Sequence, residues 1–179
     1  MPSSAAPCLK YPLPQLGANS TRETVSLIDP VITELRKVAQ LQICVAEFAG
    51  TDADVGFWPG VTYVRGFPLS QYARAFDFAI SAAGYNTFHE AIAFGIPTIF
   101  IPNRDPSMDD QAGRADFAQN AGAAFVLEED GMDDLPNLIR LLLEPKGRDY
   151  LIDNCQRLAL PNGANQAVAA LGRFLEVAS

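Results

Sequence analysis

Between residues 81 and 111 the chain sets a glycine turn, a hydroxyl, a carboxylate and an Asp-Gln pair in one block, running Ser81-Ala82-Ala83-Gly84-Tyr85-Asn86-Thr87 to Glu90 and on to Asp110-Gln111. Ala82, Ala83 and Gly84 are small enough for a ligand to approach the backbone, and a helix starting at Tyr85 would face it with free amides. Amides backed by a helix dipole suit a pyrophosphate, and Thr87 in the first turn can add a hydroxyl donor. Such a turn and capping hydroxyl also occur in α/β domains that bind no phosphate. Glu90, nearly one turn beyond Thr87, can accept two hydrogen bonds from a vicinal diol such as that of a ribose, or it can be a solvated helix carboxylate. Asp110-Gln111 offers acceptors and one amide to sugar hydroxyls, while an aspartate there also suits a helix dipole. Arg104 and Arg114 flank the pair, either as phosphate contacts or as surface ion pairs. His89 is the only histidine and has no carboxylate at the spacing of a catalytic base, so it reads as a packed or surface side chain.

The elements that must position these residues follow from periodicity and breakers. Prolines 2, 7, 12 and 14 disfavour a helix or central strand at the start, so residues 1–12 read as a linker, or as the mark of a cut between domains, before a short strand near Leu13–Leu16. Ser20 or Thr21 can cap a helix with apolar positions Val25, Ile28, Ile32, Leu35 and Val38 that ends near Gln40, and Pro30 should kink or break it. Leu41–Ala46 and Val61–Val64 read as strands, with residues 48–60 as a loop between them. A short helix over Leu69–Ala75 then leads into a buried strand, Phe76–Ser81. Tyr85–Phe94 is a helix stopped by Gly95, Thr98–Ile101 a strand bounded by prolines, Asp109–Asn120 a helix and Ala123–Leu127 the last strand. Helices over Leu135–Leu143, Arg148–Leu158 and Gln166–Val177 close the chain. Alternating apolar strands and helices predict an α/β fold, a Rossmann-like doubly wound parallel sheet spanning residues 13–179 with extra C-terminal helices. The turns after the strands near residues 16, 81 and 101 would share the ligand-binding edge of that sheet.

Bulk properties narrow the classes. With 179 residues the length fits one α/β domain or half of a larger enzyme. Thirteen basic against 21 acidic residues, a net charge of −8, argues against a nucleic-acid surface but not against one nucleotide diphosphate held by amides. No apolar run reaches a membrane span and the start lacks a secretory signal, so cytoplasmic residence is expected. Cys8, Cys44 and Cys155 are too scattered for a disulfide framework or a metal site. Asp52-Ala53-Asp54 has the letters of a metal motif but sits in the irregular loop, a chance match; no metal and no cofactor are expected.

Taken together, these residues resemble the C-terminal, donor-binding domain of GT-B glycosyltransferases of the family 28 and UDP-glycosyltransferase-like kind. The peptidoglycan-type UDP-GlcNAc transferases are the nearer branch. The plant members carry Gly-Trp-Asn-Ser-x-x-Glu and later Asp-Gln or Glu-Gln, and Gly84, Tyr85, Asn86, Thr87, Glu90, Asp110 and Gln111 take those places. The resemblance covers Leu16 to about Leu127, and the C-terminal helices by architecture. It implies that Ser81, Gly84, Tyr85, Asn86 and Thr87 hold a diphosphate together with Gly17 and Asn19 of the first-strand loop. It further implies Glu90 on the ribose, Arg65, Gly66 and Phe67 around the base, usually uracil, and Asp110 and Gln111 on the donor sugar. Pro68 lacks an N–H, so a register shifted by two would lose that backbone contact. Ala82 stands where the plant signature has histidine, and Ala83 near where the bacterial branch has arginine or serine, which leaves the diphosphate to amides and Thr87.

The function so implied is metal-independent transfer of a sugar, GlcNAc from UDP-GlcNAc, to an acceptor hydroxyl. The catalytic base and acceptor site would lie in a missing N-terminal domain or a separate acceptor-binding subunit, through which any membrane contact would come, and the isolated domain should be inactive. A donor-binding subunit of a two-component transferase, a UDP-sugar epimerase and a non-catalytic nucleotide-sugar sensor are the alternative readings. An epimerase would convert free UDP-sugar without an acceptor, and gene length would identify a subunit.

Overall fold

The computed structural model describes residues 8–12, 22–47, 58–65, 71–72, 75–105, 109–159 and 163–177. Six parallel strands, β1 (Cys8–Pro12), β2 (Gln42–Glu47), β3 (Thr62–Arg65), β4 (Phe78–Ser81), β5 (Thr98–Phe100) and β6 (Phe125–Val126), form one sheet in the order β3-β2-β1-β4-β5-β6. The helices are α1 (Arg22–Arg36), α2 (Tyr85–Phe94), α3 (Gln111–Asn120), α4 (Leu135–Leu143), α5 (Pro145–Leu158) and α6 (Ala164–Val177). This is the expected doubly wound class, and its strand order reverses between β1 and β4.

The first strand is the largest correction. A strand lies at Cys8–Pro12, inside the stretch expected as a linker, and it is central, pairing with β2 from Cys8↔Gln42 to Pro12↔Ala46 and with β4 at Leu9↔Phe78 and Lys10↔Ala79; the strand expected at Leu13–Leu16 lies outside the described residues. Residues 8–12 therefore belong to the sheet. Proline costs a ladder donor only where a donor is used, and Pro12 is the last residue of β1, beyond its pairing with β4. Pro30 likewise fails to divide the first helix, which runs unbroken for 15 residues. The helix ends at Arg36, and the chain turns into β2 through Gln40 at φ 64°. The remaining elements fall within a few residues of expectation, with one addition, a 3-10 helix over Glu129–Asp134. Of the expected short helix before β4 only residues 71–72 and 75 lie among those described.

Strand alternation sorts the core into two layers. Phe78, Ile80, Ile99 and Ile101 point to the side covered by α1 and α4, where they pack with Ile28, Ile32, Leu35, Leu135 and Leu142. Phe100 points the other way, into a layer of Phe88, Ala91, Ile92, Ala115, Ala118, Ala123 and Ala124 beneath α2 and α3. The alanines let these helices lie close to the sheet. Burying Phe78 or Phe100 completely contributes about 1.5–3 kcal/mol each. Helix α5 closes this end, with Cys155 Sγ 3.3 Å from the carbonyl of Ala123 and Asn154 Nδ2 donating to Gly122 O at 3.0 Å. Trp58 fastens β3 to the α1 layer, its indole N–H donating to Asp29 Oδ1 at 2.6 Å. Among the described residues no helix is long and apolar enough to cross a membrane.

Candidate functional site

All six strands are parallel, so their carboxyl ends share one edge, and the crevice of such a sheet opens beyond β1 and β4 where the order reverses. Ser81 closes β4. Ile80 faces the α1 layer, so Ser81, next in the strand, faces the α2 side. It is 1% exposed, and its Oγ has no hydrogen-bond partner among the described residues. Buried hydroxyls are nearly always satisfied, so an orphan at a strand end marks a place where a group from outside the described residues is wanted.

Directly after it, Ala82, Ala83 and Gly84 are buried and lead into α2. Gly84 is the N-cap and brings no side chain to it, and the first intrahelical bond runs from Phe88 N to Gly84 O at 2.8 Å. The amides of Tyr85, Asn86 and Thr87 thus have no partner within the helix, and the positive end of its dipole adds to their pull on an anion. Phe88, Ala91 and Ile92 make the buried stripe that seats α2 on β5. Gly95 stops the helix in the left-handed region at φ 63°, its N–H returning to Ala91 O and Ile92 O. Thr87 and Glu90 are half-buried on one flank, and Glu90 has no hydrogen-bond or ion-pair partner among the described residues. Tyr85, 63% exposed, and His89 lie on the other flank with their rings edge to face at 4.4 Å, so His89 is a surface side chain as expected.

The Asp-Gln pair opens α3, which begins at Gln111 rather than Asp109 because Asp110 is its N-cap, Oδ1 accepting from Gly113 N at 2.9 Å. A Cβ on Gly113 would stand 2.4 Å from Asp110 Oδ2, so the cap requires glycine there. Gln111 is buried, its Oε1 accepting from Asn103 N at 3.2 Å and its Nε2 donating to Asp109 Oδ1 at 3.3 Å. Each member of the pair keeps part of its capacity, a second carboxylate oxygen on Asp110 and a second N–H on Gln111.

The two arginines have separate fates. Arg104 forms a fork on Glu128, with Nε 2.6 Å from Oε2, and also reaches Asp116, a surface ion-pair cluster. The Glu128 carboxyl is held below its ordinary pKa by the hydrogen bonds and charge of Arg104, against the opposing effect of burial. Arg114, by contrast, joins the two halves of the site. Its Nε donates to Ala83 O at 2.8 Å, and its other end pairs with Asp109. No spacing rule signals a contact between residues 31 apart, and the sequence reading missed it.

Of the other expected site residues, Arg65 ends β3 on the same sheet edge, three strands from Ser81 and so about 14 Å across at ordinary strand spacing. Gly17, Asn19, Gly66 and Phe67 lie outside the described residues, as does Asp52-Ala53-Asp54. A separate cavity of about 440 Å3 lies between α1 and the start of α4, with Asp29, Glu34, Asp133 and Met132 on its walls. Its carboxylates disfavour an anion, and it is on the opposite face of the sheet from α2.

Comparison with known proteins points to one family. Residues 18–166 match the model described as glycosyltransferase family 28 C-terminal domain. Among curated proteins, the UDP-N-acetylglucosamine--N-acetylmuramyl-(pentapeptide) pyrophosphoryl-undecaprenol N-acetylglucosamine transferase of Aromatoleum aromaticum is 29% identical over 143 residues, 78% of this chain and 38% of the relative. The enzyme of that name from Limosilactobacillus fermentum is 30% identical over 102 residues, 55% of this chain and 28% of the relative. This chain thus spans well under half the length of these relatives. Among solved structures, spinosyn rhamnosyltransferase SpnG complexed with thymidine diphosphate superposes with a TM-score of 0.73 at 22% identity, over 96% of this chain and 45% of that one. The glycosyltransferase SnogD from Streptomyces nogalater gives 0.66 at 22% identity, over 96% and 43%. At these identities the structures speak for the fold.

Proposed function

The chain belongs to the glycosyltransferase family 28 C-terminal domains, and from that premise we propose that it is the nucleotide-sugar-binding part of a UDP-sugar transferase, with UDP-GlcNAc as donor. The observation that carries the reading is the end of β4, where a buried hydroxyl with no partner among the described residues stands beside the N-terminal amides of α2, which no side chain of Gly84 caps. In this reading the amides of Gly84, Tyr85, Asn86 and Thr87, with the hydroxyls of Ser81 and Thr87, hold the diphosphate. Gly17 and Asn19, which follow β1 in the sequence, meet it as well. Glu90 takes the ribose diol, and Arg65, Gly66 and Phe67 take the base. Asp110 and Gln111 meet the donor sugar with the acceptor capacity and N–H that their own helix leaves free.

The chemistry follows from what these groups do to charge. When the bond from the sugar to the diphosphate breaks, negative charge grows on the departing phosphate oxygens, and donors already fixed around them stabilise that change without reorganising. This is a metal-independent route, in which amides do the work a cation would otherwise do. The acceptor hydroxyl and its base belong to an N-terminal half or a separate acceptor-binding subunit, and this chain by itself is not expected to turn over. UDP-GlcNAc is favoured by the name its curated relatives bear, and cytoplasmic residence goes with the reading.

Thermal unfolding with added nucleotides tests it. A ligand at 100 times its Kd stabilises by about 2.7 kcal/mol, which for a chain of this length raises Tm by about 5–10 °C. UDP and UDP-GlcNAc are expected to give such shifts, EDTA to leave them unchanged, and Glu90→Ala to shrink them. The absence of any shift at millimolar UDP would sink the reading. A larger shift with thymidine diphosphate, the ligand in the SpnG structure, would move the donor to the thymidine series.

A further inference from the structure

Arg114 reaches the carbonyl of Ala83 from α3, and its side chain is 18% exposed. That carbonyl belongs to the same planar peptide as the N–H of Gly84, and in a trans peptide the two point in opposite directions. Helix α3 packs beside β6, on the β5 side of β4, whereas β1 borders β4 on the other side. Holding Ala83 O toward α3 therefore turns the Gly84 N–H away from α3, toward the crevice between β1 and β4. A cation on the carbonyl oxygen also polarises the peptide, making its N–H a stronger donor.

The other end of Arg114 pairs with Asp109, which also accepts from Gln111 Nε2. Gln111 in turn holds Asn103 N after β5. One network thus runs from the turn after β4 to the loop that carries the Asp-Gln pair. The Gly84 N–H has no partner among the described residues, so the orientation imposed by Arg114 serves no bond within them.

We infer that Arg114 is a positioning residue for the diphosphate: acting through the Ala83–Gly84 peptide, it aims and strengthens the Gly84 N–H, and its charge faces the ligand across that peptide. The inference rests on the proposed site at the start of α2. It is distinct from a direct phosphate contact, because Nε donates to Ala83 O and a terminal nitrogen pairs with Asp109, so the effect passes through the peptide. It also gives the turn a cationic neighbour although Ala82 and Ala83 carry none themselves.

Calorimetric titration of the 179-residue chain with UDP and with uridine, joined to the amide resonance of Gly84, separates the possibilities. The unaltered chain is expected to bind UDP far more tightly than uridine, and equal affinities would overturn the diphosphate reading itself. Arg114→Met is expected to weaken UDP roughly tenfold, the worth of one charge-assisted hydrogen bond, with uridine unchanged. The Gly84 amide should move upfield and lose its response to UDP. An Arg114→Met chain that keeps both the UDP preference and the Gly84 signal would overturn the inference while leaving the diphosphate site standing. If that variant does not fold, Asp109→Asn serves, since it removes a negative charge beside the guanidinium and keeps its shape. UDP affinity should then rise a few-fold with uridine unchanged, and an unchanged UDP affinity would overturn the inference.

Discussion

Replacing Ser81 by alanine should make the empty chain more stable and its hold on UDP weaker, and the two signs together discriminate sharply. The hydroxyl is buried to 1% exposure with no partner among the described residues. A hydroxyl in that state has lost its water without compensation, at a cost of about 1–3 kcal/mol. Alanine removes the oxygen alone and forfeits only a few tenths of a kcal/mol of dispersion contact. The net gain is about 1 kcal/mol, or a rise in Tm of about 2–4 °C for a chain of this length. Against a phosphate oxygen the same hydroxyl makes a charge-assisted bond worth about 1.5–3 kcal/mol, so UDP affinity should fall about tenfold or more. Thermal unfolding of the empty chain and calorimetry with UDP measure the two effects. A serine that serves only the fold would give a lower Tm and unchanged UDP affinity, and either result refutes the reasoning.

Four further outcomes follow from single contacts. Asp110→Ala removes the cap on Gly113 N and should cost about 1 kcal/mol in urea titration, with Asp110→Asn recovering most of it. Gly122→Ala places a Cβ 2.6 Å from Tyr150 Oη at φ 67°, and the left-handed backbone alone should cost about 1–2 kcal/mol in the same assay. Glu128 is depressed in the folded chain by Arg104, so its stabilising effect is present above the unfolded value near 4.5 and lost as pH falls through the folded one; Glu128→Gln should remove that contribution, lowering stability slightly at neutral pH and flattening its loss below pH 4.5 in urea titrations. Burial pushes the Cys155 thiol up to about 11 from 9.0, so native alkylation with iodoacetamide at pH 8 should be slow and speed up on unfolding; the unfolded chain ionises first, and stability is lost as pH rises from 9 through 11 unless Cys155 is replaced by alanine.

The helix Tyr85–Phe94 was readable to its ends because two local signals agree, an apolar stripe at Phe88, Ala91 and Ile92 and a glycine that alone adopts φ 63° without strain. Strands β2 to β5 declared themselves by short apolar runs between breakers. The opening strand is not legible because a proline's place in the ladder, not its presence, decides whether a bond is lost, and only the pairing pattern shows that Pro12 lies beyond the pairing with β4. Asp110 looked like a sugar contact and is also a cap, two roles that a carboxylate at a helix start satisfies equally well from the sequence side. Arg114 stands out in the sequence only as a cation beside the Asp-Gln pair; its bond to Ala83 O is not legible there, since a bond to a backbone carbonyl leaves no trace in residue type at the far end.

By itself the sequence determined the class of fold and the block that faces the crevice, because those depend on short-range periodicity, turn residues and an ordered motif. Tertiary structure alone decided which strand lies at the centre, that the buried Ser81 hydroxyl has no partner among the described residues, and that a guanidinium from α3 donates to the turn after β4. These are properties of distance between residues far apart in the chain, and only folding sets them, by bringing the two turns to one edge of one sheet.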